Sequence, residues 1–329
     1  MKLKELISKN MFVIILILVL IFSILLPQAG QFLKEIGISS VLTFLAMFVS
    51  GLSLTLDNVK SSFREYKAII FSSVITFVVF PLLAYFLNGL MFPGNEDLFV
   101  GTVILSTQAS TISSAIVLTM AAGGNVSLAI IITVLNNFLS VFISPLIING
   151  VLSVENHISL NTMEMILNLV MVVVVPIIIA QIIKYILKDK MKYINKIRKP
   201  IANLVVLMFV VIGASTAAPQ LSGNYRIVAE VVLYAFLLHM LVASIGYIYS
   251  KIVKLKTDDI PALVFCSSEK TMTSSILIWN NYFPSYTLAP ILFVFNHIIQ
   301  IIIDSILANV WVNLKYSEKT ESAMTQSFQ

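Results

Sequence analysis

The sequence predicts an all-α polytopic membrane protein of ten transmembrane helices in two inverted five-helix repeats, the fourth and ninth helices being interrupted. Three observations carry this. Of 329 residues, 58% are hydrophobic and 11% charged, where a soluble domain carries about 25% charged residues. Ten stretches are long and apolar enough, or nearly so, to cross a bilayer, which takes about 20 residues. Two polar clusters recur at one sequence offset, 160 positions apart. A soluble globular domain and a disordered chain are excluded by the hydropathy. Cys266 is the lone cysteine, so no intramolecular disulfide or CxxC metal site can form. No HExxH, Walker A or GxGxxG motif is present.

The spans run Met11–Leu26, Ile38–Leu56, Lys67–Leu90, Leu98–Thr119, Val126–Gly150, Met163–Leu187, Ile201–Ala218, Ile227–Ile252, Pro261–Phe283 and Thr287–Val312. Their apolar runs are continuous and not alternating, which argues against a β-barrel. No small-residue cleavage site follows the first, so it reads as a retained span. Pro81, Pro145, Pro176 and Pro290 fall within spans as candidate kinks. Gly123-Gly124-Asn125 reads as a tight turn between the fourth and fifth spans.

Charge sets the expected orientation. With the N-terminus cytoplasmic, eighteen of the twenty-one basic residues fall inside, Lys34 and Arg226 outside, and Lys270 within a span. Basic residues accumulate on the cytoplasmic side, so both termini are expected in the cytoplasm and the protein in the cell membrane. The same rule explains the basic run over 184–199, and no nucleic-acid partner is implied.

Five spans per half is odd, so related halves are expected to be inverted: 1–155, then 156–315, with a cytoplasmic tail at 316–329. At the offset of 160, Thr111 meets Thr271, Ser113 meets Thr273, and Ser114 meets Ser274; Asn136–Asn137 meets Asn296–His297, and Ser140 meets Gln300. Paired unusual helices in inverted halves mark secondary transporters with a midplane site. The runs Ser106–Ser114 and Cys266–Ser274 are rich in small and hydroxylated residues, which loosen helices. Both helices are therefore expected to break, turning carbonyl and hydroxyl oxygens toward a cavity. Such hard oxygens suit a small cation such as sodium. Close helix packing is the competing reading of any one such stripe.

Glu269 and Lys270 lie at mid-span, where an ionisable group costs about 2.5–3.5 kcal/mol and is functional by default. Glu269 can offer a carboxylate to a cation or carry a proton. Lys270 can neutralise Glu269 or attract an anionic substrate; a structural ion pair is the plainer alternative. In span ten, Asn296, Gln300 and Asp304 share one face, with His297 beside it, and Asn137 belongs to a similar stripe in span five. These read as cavity-lining groups. His239 reads as half of an interhelical hydrogen bond, and His157 as a solvated loop residue.

These residues resemble the bile acid:sodium symporter superfamily, most closely its SBF-like branch. The resemblance covers residues 10 to 312 and rests on GLSL at Gly51–Leu54, SSAIVLTMAAGGN at Ser113–Asn125, PLII at Pro145–Ile148, VVVPIIIAQII at Val173–Ile183, FCSSEKTMT at Phe265–Thr273 and HIIQ at His297–Gln300. It implies a panel domain (spans 1, 2, 6 and 7) and a core domain (spans 3–5 and 8–10), with unwound spans 4 and 9 crossing in the core. It also implies alternating access, with substrate held between panel and core. It places Glu269 at the glutamate shared by two sodium sites, with Ser113, Ser114 and Thr133 on or beside the donors of the first, and Thr76, Met272 (through its carbonyl) and Thr273 near the second. Thr76 and Thr273 stand where the family carries longer glutamines, and Lys270 departs from sodium-coupled members. Ser274, Asn296 and His297 fall among substrate-lining positions. The expected function is secondary transport of a small organic anion with sodium as the coupling ion, no other cofactor and no enzymatic reaction. The rivals are sodium-independent or proton-coupled transport with Lys270 as a built-in cation, and a non-transporting membrane regulator of the same fold.

Overall fold

The computed structural model describes residues 2–54, 63–155, 161–188, 191–221 and 224–327. Leu56 and His157 lie outside the described residues, as do Lys60 and Lys190 among the basic residues counted inside, and the last two positions of the tail. Among the described residues there is no strand. The helices are α1 (Lys2–Leu25), α2 (Gln28–Glu35), α3 (Ser39–Ser53), α4 (Tyr66–Met91), α5 (Glu96–Ser106), α6 (Ile112–Ala121), α7 (Val126–Glu155), α8 (Thr162–Leu187), α9 (Met191–Leu221), α10 (Tyr225–Ile252), α11 (Asp259–Ser268), α12 (Met272–Tyr282) and α13 (Ala289–Ser327).

Six of these, α4, α7, α8, α9, α10 and α13, are long and apolar enough to cross a membrane by themselves, and the bent pair α1–α2 makes a seventh. The protein is a multi-pass membrane protein. The remaining predicted spans are shorter or divided. The second is only the 15-residue α3, which gives way to extended backbone at Leu54. The fourth is divided into α5 and α6, and the ninth into α11 and α12.

The sequence reading has no counterpart for α2. The chain turns by 90° after Leu25, at Leu26-Pro27, and the polar segment QAGQFLKE leaves the line of α1. Gly30 lets α2 sit directly on α9: a Cβ there would overlap the Ser215 side chain and the Val211 carbonyl. Gly30→Ala is therefore expected to destabilise the fold by about 1–3 kcal/mol through overpacking, read as a lowered melting temperature in detergent.

Two of the prolines have a common solution. A π-turn over Ile75–Val79 precedes Pro81, and another over Val170–Val174 precedes Pro176. Widening the helix by one residue accommodates the missing N–H but leaves a carbonyl over. Pro145 lies inside an uninterrupted α7. Pro290 is not a mid-span kink, because it occupies the first turn of α13, where no N–H is needed.

Leu82, Phe86 and Leu90, at i, i+4 and i+8 on α4, are exposed and form a lipid-facing stripe. The start of α13 is buried throughout Ala289–Val294, and α13 packs on α5, α9, α10 and α12. It is the buried post around which the broken helices are arranged.

Candidate binding site at two helix breaks

The chain leaves helical geometry between Ser106 and Ile112, and again between Ser268 and Met272. Thr111 and Thr271, 160 positions apart, precede α6 and α12 in nearly the same extended conformation (φ −70°, ψ 117° and φ −80°, ψ 117°). The two breaks touch. The Thr271 N–H donates to the Ala109 carbonyl at 2.9 Å, and the Thr111 hydroxyl reaches the Lys270 carbonyl at 3.4 Å.

Unwinding inside a membrane frees carbonyls that must find donors, and side chains from the neighbouring helices supply them. Ser144 donates to the Thr107 carbonyl at 2.7 Å and Asn137 to the Ser110 carbonyl at 3.0 Å. Gln300 grips the second break from both sides, its Nε2 donating to the Lys270 carbonyl at 3.0 Å and its Oε1 accepting the Lys270 N–H at 2.9 Å. Thus the amides of α7 and α13 hold Ser110 and Lys270, which are 160 positions apart.

Lys270 is fully buried, and its ammonium turns to backbone. Its Nζ donates to the carbonyls of Thr76 (2.8 Å), Ser106 (2.7 Å) and Gln108 (2.6 Å). Those three acceptors use all three ammonium protons. Each carbonyl is available for a reason. Ser106 and Gln108 lie where α5 has ended. Thr76 lies in the π-turn, where Phe80 N–H bonds to Ile75 and the i+5 partner of Thr76 would be Pro81, which has no N–H. The Phe80 ring lies 4.3 Å from the ammonium and adds a cation–π contact. Among the described residues Lys270 has no ion pair with a carboxylate.

Glu269 is also fully buried. Its Oε2 accepts from the Ser114 hydroxyl at 2.5 Å, and its Oε1 has no hydrogen-bond partner. The structure thus joins Glu269 and Ser114 across the two breaks. It takes Ser113 elsewhere, to the Ser50 hydroxyl of α3 at 3.2 Å. Thr133 turns its hydroxyl back to the carbonyls of Ala129 and Ile130. Thr273 pairs with Thr271 at 3.0 Å, and Met272 and Ser274 are buried in the first turn of α12. Asn296 donates to Gln300 at 3.1 Å and His297 Nδ1 contacts Gln300 Nε2 at 3.2 Å. The Asn296 Oδ1 and His297 Nε2 remain without partners in the buried interior.

Two further groups belong to this buried polar core. His239 Nε2 and Asp304 Oδ1 are 2.8 Å apart, joining α10 to α13. The interhelical bond expected of His239 is present. Its partner, 65 positions away, had no signal in the sequence beyond Asp304 sharing the face of Asn296 and Gln300. Among the described residues no three His, Cys, Asp or Glu side chains form a cluster able to hold a metal ion. The mixed carboxylate, hydroxyl and carbonyl oxygens here are of the kind that suit a hard ion, and Glu269 Oε1, Asp304 Oδ2 and Ser110 Oγ are among the buried oxygens without a hydrogen-bond partner.

The glycine turn ties the first broken helix to the start of the second. Asn125 N–H donates to the Asp258 carbonyl and Asn125 Nδ2 to Asp259 Oδ1, both at 2.7 Å, while Asn125 Oδ1 caps α7 at Leu128. Burial pushes the Asp259 carboxyl above the usual carboxylate range, and the Asn125 bond partly offsets this. Asn125→Ala removes a cap and a charge-assisted bond together, so a loss of about 1–2 kcal/mol is expected, measurable as an earlier thermal transition.

A cleft of about 710 Å³ opens among α2, the end of α9 and the end of α12, with Gln31, Lys34, Glu35, Gln220, Asn280 and Thr287 in its lining. The Lys34 ammonium lies 4.5 Å from the Trp279 ring and 3.5 Å from the Pro284 carbonyl. This cleft lies at the end of α12 opposite the second break.

Broken helices in contact within a multi-pass membrane protein, with a buried carboxylate and a buried ammonium at the junction, define a transporter architecture. The chain belongs to the SBF-like CPA transporter family, which it matches over residues 10–313. It is 28% identical over 320 residues to the sodium/bile acid cotransporter 7-B of Xenopus laevis, covering 93% of each chain. It is 26% identical over 321 residues to the sodium/bile acid cotransporter 7 of Danio rerio, covering 92% of this chain and 93% of that protein. A third relative, the "Probable sodium/metabolite cotransporter BASS1, chloroplastic" of Arabidopsis thaliana, is 24% identical over 273 residues, or 81% of this chain and 65% of that protein. The protein is a transporter of this family.

Proposed function

We propose that this protein is a secondary active transporter of a small organic anion, coupled to sodium at Glu269, working by alternating access. In this reading ten spans form two inverted halves, the segments read as spans 1, 2, 6 and 7 making a panel and the rest a core. The single observation that supports it most is the unpartnered Oε1 of Glu269 at the contact of the two breaks. A buried carboxylate oxygen without a donor is costly, and a bound cation would relieve that cost. Ser114 would complete the set, with Ser113, Thr133, Thr273, Met272 and Thr76 as the further oxygen donors that the resemblance brings in. Asn296 Oδ1 and His297 Nε2, two of the buried polar atoms without a partner, would face the solute, with Ser274 and Asn137 beside them in sequence register.

A specific observation also favours a second reading. The Lys270 Nζ already sits on three carbonyls, the place a built-in cation would take. In this reading transport is independent of sodium or is coupled to protons. In proteoliposomes, uptake of an anion panel driven by an inward sodium gradient is the expected result. Uptake that ignores sodium and follows an imposed pH gradient selects the second reading. Absence of counterflow for every anion, with unchanged behaviour of Glu269→Ala, would leave a non-transporting regulator.

A further inference from the structure

A groove of about 440 Å³ runs between α10 and α13 and is floored by α11; its lining includes Ala243, Tyr247, Val264, Leu307, Val310 and Trp311. It belongs to neither break and carries almost no polar side chain. Tyr247 and Val310 are 41% and 47% exposed, so the groove faces the surface of the bundle. In a membrane protein that surface meets lipid, and an apolar groove there matches an acyl chain. The Trp311 ring stands edge-on to Phe265 at 5.1 Å, which fixes one wall.

The mouth of the groove adds charge. Lys251 lies one turn beyond Tyr247, and its ammonium sits 5.4 Å from the Tyr247 ring. Lys254 follows in the turn that ends α10, with φ 55°. Among the described residues neither has an ion pair, whereas Lys256, next along, is bound to Glu65 at 2.6 Å. A lysine stem lying along apolar surface with its ammonium at the interface is the usual arrangement at a membrane boundary, and aromatic residues gather at the same depth. Basic groups beside a groove between transmembrane helices recognise anionic lipid head groups.

We propose that this groove is a binding site for a phospholipid with an anionic head group, its acyl chain along Ala243, Val264 and Leu307 and its phosphodiester at Lys251, with Lys254 adding charge. The site has a route to the buried core. Ala243 is one turn from His239, Leu307 is one turn from Asp304, and Val264 lies on α11, which ends at Ser268 just before Glu269. An occupant therefore braces the helices that hold the second break.

The inference needs only a bilayer-embedded chain, so it stands or falls apart from the transport reading. The test uses the full chain in phosphatidylcholine vesicles, with a minor fraction of bromine-labelled phosphatidylglycerol or bromine-labelled phosphatidylcholine as quencher of tryptophan fluorescence. Trp279 is fully buried, so the lipid-accessible reporter is Trp311. Relative association of the anionic lipid is expected to exceed that of phosphatidylcholine about fivefold, the effect of one lysine near a head group. Lys251→Gln with Lys254→Gln should abolish the preference, and Trp311→Phe should abolish the signal that reports it. Equal quenching by the two lipids in the unaltered protein, or a preference unchanged by the double substitution, overturns the proposal.

Discussion

Lys270→Met is expected to be the most destabilising single substitution in the bundle, with the loss partly reversed by monovalent cations. Methionine keeps much of the length and volume but has no donor. The carbonyls of Thr76, Ser106 and Gln108 would then point at one another with nothing between them. Each buried acceptor left unmade costs about 1–3 kcal/mol, so the sum is on the order of 3–6 kcal/mol once relaxation is allowed for. The Phe80 contact with the charge is lost as well. Three convergent carbonyls are also a ligand set for a hard cation. Thermal denaturation of Lys270→Met in detergent should therefore show a large fall in transition temperature in choline chloride and a smaller one in sodium or potassium chloride. Lys270→Arg should rescue poorly, because a planar fork cannot replace a compact ammonium centred on three acceptors. If Lys270→Met melts with the unaltered protein in every salt, the ammonium does not hold these carbonyls, and its role as a charge facing the solute returns.

What could be read from the sequence and what could not divide along a physical line. Hydroxyl-rich interruptions are local, so the breaks at 107–111 and 269–271 follow from composition. The offset that pairs Thr111 with Thr271 pairs two residues that share one backbone conformation. Gln300 reads as cavity-lining from its helical face, and it does reach the break, but as a clamp on the Lys270 backbone. The direction of the Lys270 side chain had no local signal. It depends on the Thr76 carbonyl, 194 positions away in α4, which Pro81 leaves free. The His239–Asp304 bond has the same character, because nothing in the neighbourhood of either residue names the other. The right-angle turn into α2 depends on Gly30 meeting the backbone of α9, a contact between segments far apart in the chain. Long helices likewise report their own hydropathy, whereas α3 and the four half-helices are stabilised by what surrounds them.

Glu269→Gln separates a cation site from a structural carboxylate, because the two roles predict opposite signs. The substitution keeps the side chain's shape and leaves an oxygen able to accept from Ser114, so the bond at 2.5 Å has a successor. Where the carboxylate is ionised, it removes a buried charge whose second oxygen has no partner. Deleting an uncompensated buried charge relieves desolvation, so in sodium-free buffer Glu269→Gln is expected to be at least as stable as the unaltered protein. The response to sodium should move the other way. A ligand that binds only the folded state at a hundredfold excess over its Kd stabilises by about 2.7 kcal/mol, and this increment should vanish in Glu269→Gln. Ser114→Ala should weaken it without abolishing it, since one donor of the set is lost and the charge stays. The measurement is a thermal transition followed across a sodium titration at constant ionic strength, with choline as the balancing cation. A fall in stability without sodium, with the sodium increment intact, would make Glu269 a tie between the two breaks and place the coupling cation elsewhere in the polar core.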